Sequence, residues 1–299
     1  MHRYDAREIS ALFDRGENII DFIRVRENTK LNSPSAILYS YDAQAGSYLI
    51  QLEDPLHREL KDRLGRYLAE AIEPLRPSSL LDAGAGEATS LVPVLRHLRH
   101  RPEHVLAFDL SLSRLLFARH HLDQNGQHAK LFTGALDRIP LESESVDVIV
   151  TVHAIEPNQG HEDAILAELL RVARRQLVLV EPSYEMASAE GRARMERLGY
   201  ARDLPQRLRR LGYAPSRLER CPHNSNPLNE AALIVVDKFA SGVCAGAPAF
   251  VSPISGRRLL SRPDCLYCPE DGHAFPVIAG IPCLLMDNSV LASKLGAAI

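Results

Sequence analysis

Short apolar runs alternate with amphipathic stretches through the middle of the chain. Residues 79–83, 104–108, 129–132, 146–152, 177–180 and 231–236 are apolar runs of strand length, and 88–100, 111–124 and 162–174 have helical composition. Strand-helix-strand order predicts a parallel sheet covered by helices on both faces. Ahead of it, Ile9, Leu12 and Phe13, then Ile19, Phe22 and Ile23, fall at helical spacing. Residues 55–71 form a predicted amphipathic helix with Leu60, Leu64, Leu68 and Ala71 on one face, stopped by Pro74 and Pro77. A polar stretch carrying Tyr41 and Tyr48 lies between. After Lys238, residues 240–248 are rich in small side chains and read as a linker to a compact tail, roughly 250–287.

The 299 residues suffice for one α/β domain with an appendage, and 45% hydrophobic with 24% charged residues is ordinary for a globular protein. No stretch approaches a membrane span, and the charges from Asp5 to Arg15 exclude a signal peptide. Five cysteines without an export signal point to a reduced, cytoplasmic setting. A net charge of −3 gives no overall drive toward nucleic acid. Locally, however, residues 186–220 hold nine arginines against four acids, an excess of five positive charges.

The strongest chemical signal is Leu80-Leu81-Asp82-Ala83-Gly84-Ala85-Gly86-Glu87, a strand running through a glycine turn into a helix. Gly84 can take the tight turn, and Gly86 lets the backbone approach a ligand. One strand later, Asp109 ends the run Ala107-Phe108-Asp109, where a carboxylate can accept from both ribose hydroxyls of an adenosine. A nicotinamide-binding protein is the competing reading, but it expects Gly or Ala where Thr89 stands. Glu87 at the helix entrance would also repel a pyrophosphate.

On these residues the segment 78–183 resembles the core of class I S-adenosylmethionine-dependent methyltransferases, close to the type 11 and 25 groups. The resemblance extends through Thr133-Gly134-Ala135-Leu136-Asp137, the strand around Val146–Ile149, and Glu181-Pro182. It implies a Rossmann-like seven-stranded, mostly parallel sheet and S-adenosylmethionine as cofactor. The matching positions make Asp82, Gly84, Ala85, Gly86, Asp109, Leu110, Ala135, Leu136 and His153 cofactor-binding candidates. Tyr41 and Tyr48 would close over the methionine end, as tyrosines before the core do in similar enzymes. An acid often stands at the position of Ala135, so adenine recognition would rest on backbone groups and Leu136.

Methyl transfer depends on aligning the nucleophile and, for oxygen or nitrogen, on removing its proton. The fourth predicted strand ends in Thr151-Val152-His153-Ala154-Ile155-Glu156, at the edge where such sheets bind ligands. His153 is a candidate base with Glu156 as its orienting partner; alternatively Glu156 holds substrate directly, or His153 simply caps the strand. Tyr184, after the fifth strand, is a candidate wall of the site. Arg192, Arg194 and Arg197 are candidate contacts to an acceptor phosphate or carboxylate. Asn226-Pro-Leu-Asn229 reads as a turn.

The tail, with Ser252-Pro-Ile-Ser255, Cys265-Leu-Tyr-Cys268 and Ala274-Phe-Pro-Val-Ile278, resembles the zinc-ribbon-like activator domain of tRNA and protein methyltransferases. Serines replace the first cysteine pair, and Cys265 and Cys268 alone do not close a zinc site, so a metal-free ribbon packed by Phe250, Leu259, Phe275, Val277, Ile281 and Leu284 is expected. The expected organisation is a helical cap over 1–72, a core over 73–239, a linker over 240–249 and a small β-rich domain over 250–299. The expected acceptor is a small anionic molecule such as a sugar nucleotide or carrier-bound metabolite. An RNA substrate and a non-catalytic scaffold are the alternatives. No membrane partner is expected, and a homodimer is left open.

Overall fold

The computed structural model describes residues 2–224, 226–238 and 246–295. Most of the predicted linker, residues 240–245, lies outside the described residues. The first five helices are α1 (Ala6–Asp14), α2 (Ile19–Glu27), α3 (Pro34–Ala43), α4 (Ser47–Gln51) and α5 (Pro55–Ile72). Their starts are written locally. Asp5, Asn18, Ser33 and Asp54 each cap a helix with the side-chain oxygen, and Pro34 and Pro55 follow two of these caps. The stretch bearing Tyr41 and Tyr48 is thus helical. Ile9, Leu12, Ile19, Ile23 and Ala36 bury together in a small core of their own.

The main sheet contains β1 (Ser79–Ala83), β2 (His104–Asp109), β3 (Lys130–Thr133), β4 (Val146–Val152), β5 (Ala173–Pro182), β6 (Arg217–Arg220) and β7 (Ala231–Asp237). Its order is β3-β2-β1-β4-β5-β7-β6, with β7 antiparallel to both neighbours and the first five strands parallel. Period-two alternation sends successive side chains to opposite faces. Leu81, Phe108, Ile149, Leu177 and Ile234 face α8 (Glu162–Val172) and α10 (Leu204–Arg210), while Leu80, Ala107, Val150, Val178 and Leu233 face α5, α6 (Leu91–His97) and α7 (Leu112–Gln124). The sequence pattern missed β6, whose side chains alternate between half-buried and exposed at the sheet edge. α9 (Ala189–Leu198) lies between β5 and β6. Among the described residues no helix is long and apolar enough to cross a membrane.

The tail forms β8 (Leu260–Ser261), β9 (Cys265–Cys268), β10 (His273–Ile278), β11 (Ile281–Pro282) and β12 (Val290–Leu291), all paired antiparallel. Its packing residues do not form a separate core. Phe250, Leu259, Phe275 and Leu284 join the cluster of Phe108, Phe132, Ile139 and Leu141, and Ile281 joins the cluster on the other face. Phe250 meets Phe132 edge-on with ring centroids 5.0 Å apart. Cys283 pairs with Thr133 beyond the end of β3, and the Leu284 N–H donates to the Thr133 hydroxyl at 3.0 Å. The tail therefore caps the edge strand and braces the loop that follows it.

Cys265 and Cys268 sit at opposite ends of β9, three residues apart in an extended strand, so their side chains leave opposite faces. The metal-like spacing does not bring the two thiols together. Where a ribbon would gather thiolates, the hydroxyls of Ser252 and Ser255 both donate to Asp271 Oδ2 at 2.6 Å. Burial would raise the Asp271 pKa, but these two hydroxyls and the His273 N–H outweigh it and hold the carboxyl below its ordinary range. Among the described residues no group of three or more His, Cys, Asp and Glu is placed to hold a metal ion. Elemental analysis of protein purified without chelator is expected to give well under one zinc per chain, with no fall in melting temperature on adding chelator. One tightly held zinc, lost together with stability, would be the contrary result.

Candidate functional site

The site begins where β1 ends. The N–H groups of Gly84 and Ala85 both donate to the Phe108 carbonyl, at 2.9 and 2.8 Å, tying the glycine turn to β2. Gly84 has φ +79°, and a Cβ there would lie 2.4 Å from the Ala154 methyl, so the turn is pressed against the loop after β4. Gly86 has φ +54°, and its Cβ would lie 2.5 Å from the Arg114 guanidinium. Its N–H donates to one oxygen of Asp109 at 2.9 Å, and the Ser111 N–H donates to the other at 3.0 Å. Each carboxylate oxygen keeps acceptor capacity beyond its one backbone donor. Asp82 is buried nearby. Desolvation and the charge of Asp109 push its carboxyl up to about 7.

Glu87 has a different task from the one its position suggests. Its buried carboxylate accepts from the Gly46 and Leu49 N–H groups, each at 3.0 Å, and so anchors α4 to the glycine turn. The N-terminal helices are held at further points. Ser111 donates to Asp42 at 2.5 Å, and the Arg114 guanidinium stands 4.5 Å from the Tyr48 ring centre and 5.4 Å from that of Tyr41. Asn32, just before α3, donates to the Pro157 carbonyl at 2.7 Å. A cavity results, walled by Ile37 and Tyr41 on the cap, Asp109 and Leu110 at the end of β2, and Ala135 and Leu136 after β3. Its remaining wall is the loop after β4, including His153.

That loop is shaped by Glu181 at the end of β5. Its carboxylate accepts from the Thr151 hydroxyl and from the N–H groups of Ala154, Ile155 and Glu156. Burial leads the Glu181 shift and, helped by Glu156 against the opposing charge of His153, takes its carboxyl to about 7. The turn it gathers puts His153 at φ +55°, a strained conformation for a residue with a Cβ. The His153 Nδ1 lies 2.8 Å from Glu156 Oε2. Desolvation alone would lower the imidazole pKa, but the hydrogen bond and charge of Glu156, with Glu181 behind, outweigh it and raise the value.

Two residues that sequence reasoning left out complete this cluster. Asn229 sits in the predicted turn, yet its amide nitrogen donates to Glu156 at 3.2 Å and its oxygen accepts from Arg194 at 3.0 Å. Tyr200, half-buried, accepts from Arg194 at 3.4 Å; burial and then the Glu156 charge raise its phenol pKa. Of the three arginines singled out, only Arg194 reaches this cluster. Arg192 is exposed and donates to the Tyr184 and Glu185 carbonyls, and Arg197 is exposed. Tyr184 does not line the cavity either: its hydroxyl donates to Glu196 at 2.7 Å on the outer side of α9. Much of the basic segment is neutralised locally, through Arg207 and Arg210 with Asp163, Arg217 with Glu219, and Arg220 with Glu230.

Residues 80–196 match a family model described as a methyltransferase domain. This segment holds the glycine turn, Asp109, the loop after β3 and the His153 turn. Solved structures share its fold at low sequence identity. A geranyl diphosphate methyltransferase in complex with GPP and sinefungin is 14% identical, with 66% of this chain and 85% of that chain covered and a TM-score of 0.50. A chain from the complex of the Haloferax volcanii Trm112 methyltransferase activator with a methyltransferase is 15% identical, covering 63% of this chain and 94% of that one, TM-score 0.50. A candidate O-methyltransferase from Nostoc punctiforme PCC 73102 is 13% identical, covering 67% and 60%, TM-score 0.50. No curated protein matches the sequence.

The matched segment is similar to methyltransferase domains, and its residues fit S-adenosylmethionine as cofactor. Asp109 lines the cavity with acceptor capacity to spare, and any Cβ at Gly84 or Gly86 would obstruct the turn. In addition, Arg114 Nε is buried without a hydrogen-bond partner.

Proposed function

We propose that this methyltransferase alkylates an oxygen or nitrogen of a small anionic molecule, with His153 as general base. The observation that carries the reading is the hydrogen-bonded series His153–Glu156–Asn229–Arg194, which starts on the wall of the cofactor cavity and ends in a guanidinium. Asp109 would hold the ribose, Leu110, Ala135 and Leu136 the adenine, and Tyr41 and Tyr48 the cap over the methionine end. Bound S-adenosylmethionine supplies an electrophilic methyl group. With Glu156 ionised, His153 donates through Nδ1–H, which leaves Nε2 free to take the proton of the acceptor O–H or N–H as the new bond to carbon forms. Glu156 then stabilises the imidazolium. Arg194, already oriented by Asn229, offers its fork to a phosphate or carboxylate on the acceptor. Neutralisation of the neighbouring arginines favours a small anion over an extended nucleic-acid backbone.

The test is kinetic. A panel of phosphorylated and carboxylated small molecules, and bulk tRNA as competitor, is screened for formation of S-adenosylhomocysteine. Turnover of a small anion that tRNA does not inhibit supports the reading; turnover of tRNA alone overturns it. With the acceptor in hand, Arg194→Ala should raise KM for it about tenfold or more, leaving cofactor affinity nearly unchanged.

The pH profile gives a second check. Because the His153 pKa is raised, kcat/KM should fall as pH drops through a value above the ordinary histidine range. Glu156→Gln removes the carboxylate that favours the imidazolium, so that limb should move to lower pH. A limb that stays in place excludes His153 as the base.

A further inference from the structure

Arg114 is an arginine that no part of the mechanism above uses. It stands in the first turn of α7, where its N–H donates to the capping hydroxyl of Ser111. The side chain turns back over the glycine turn and is only 7% exposed. A buried guanidinium normally has a carboxylate on it. Here the nearest one, Glu87, is 3.6 Å from Nε and already accepts from the Gly46 and Leu49 N–H groups. Arg114 Nε has no hydrogen-bond partner at all. The Tyr41 and Tyr48 rings lie against the guanidinium, so what the group has left to offer is its in-plane N–H edge, the edge that pairs bidentately with a carboxylate. Lys61 is electrostatically coupled to the same guanidinium. Its ammonium pKa is lowered by burial and then by the charge of Arg114, while Asp82 opposes the shift.

The position relative to Asp109 fixes what that edge would meet. Gly86 links the two groups: its N–H is bonded to Asp109, and its missing Cβ is the space beside the guanidinium. A ligand whose ribose hydroxyls rest on Asp109 extends its 5′ substituent past this turn. We infer that Arg114 binds the α-carboxylate of the cofactor's methionine portion and so makes the site selective for the amino-acid end of the molecule. The inference rests on the cofactor assignment of Asp109 and deepens it.

Calorimetric binding tests it without turnover. In the unaltered protein, S-adenosylhomocysteine should bind at least about tenfold more tightly than its decarboxylated analogue, S-adenosyl-3-thiopropylamine. Arg114→Met should lower affinity for S-adenosylhomocysteine about tenfold to a hundredfold. Binding of 5′-methylthioadenosine, which has no amino-acid end, should stay within about twofold by the same reasoning. Equal affinity of the unaltered protein for S-adenosylhomocysteine and the decarboxylated analogue overturns the inference. So does an equal loss of S-adenosylhomocysteine and 5′-methylthioadenosine in the variant, which would make Arg114 a support for the tyrosine cap. Both outcomes leave the cofactor reading standing. That reading, and this inference with it, fails if the unaltered protein binds none of the three.

Discussion

In calorimetry, Asp109→Ala is expected to weaken binding of S-adenosylhomocysteine by about 1–3 kcal/mol, the range for removing a charged acceptor from buried hydroxyls. The loss also releases the Gly86 and Ser111 N–H groups, which hold the glycine turn and the start of α7 in place. Asp109→Asn separates the two effects. Its one oxygen can still accept, but its amide would face a second N–H donor, so part of the loss should persist while the melting temperature recovers. NAD should not bind to the parent protein. Retained affinity in Asp109→Ala would move the ribose site elsewhere, and tight NAD binding without any response to S-adenosylhomocysteine would reverse the choice of cofactor.

A larger effect on stability is expected from the tail. Phe250→Ala should cost about 3–5 kcal/mol, the usual range for emptying a buried aromatic site, because Phe250 packs on Phe132 within the main core. Removing residues 246–299 should leave Phe132, Ile139 and Leu141 uncovered and yield a chain that aggregates or melts far below the parent. Denaturation monitored by circular dichroism decides the matter. A truncated chain with the parent's melting temperature would show that the tail is an independent module resting on a complete core. Milder changes at the contact, such as Thr133→Val, should loosen the loop carrying Ala135 and Leu136 and lower cofactor affinity before they lower stability.

The sheet was legible because its information is local. Short apolar runs located β1 and β4 to the residue, and the glycine turn with Asp109 marked one wall of the cavity without any knowledge of tertiary contacts. What could not be read depends on partners distant in sequence. Nothing around Asn229 indicates that it reaches Glu156, 73 residues earlier. Glu87 looked like an obstacle to an anion at a helix entrance, whereas the folded chain spends its carboxylate on Gly46 and Leu49. Tyr184 and Tyr200 flank the same helix, and only packing decides that the second faces the cluster while the first bonds Glu196 on the outside. The cysteine spacing in the tail looks metal-like only along the sequence: a three-residue step converges in a turn and diverges in a strand.

The two ends of the chain meet the cofactor cavity from different sides. Helices near the N-terminus supply Ile37 and Tyr41 to its wall, while Leu284 braces Thr133 just ahead of Gly134, Ala135 and Leu136. During synthesis, a ribosome that has released residues 1–196 has therefore delivered His153, Glu156 and Arg194 but neither Asn229 nor the strand that braces the loop of Ala135 and Leu136. That brace forms only once Leu284 has emerged, on the order of ten seconds later at ordinary elongation rates. A chain ending before Leu284 should expose aromatic surface around Phe132 that the tail covers, which a dye that binds apolar surface would report.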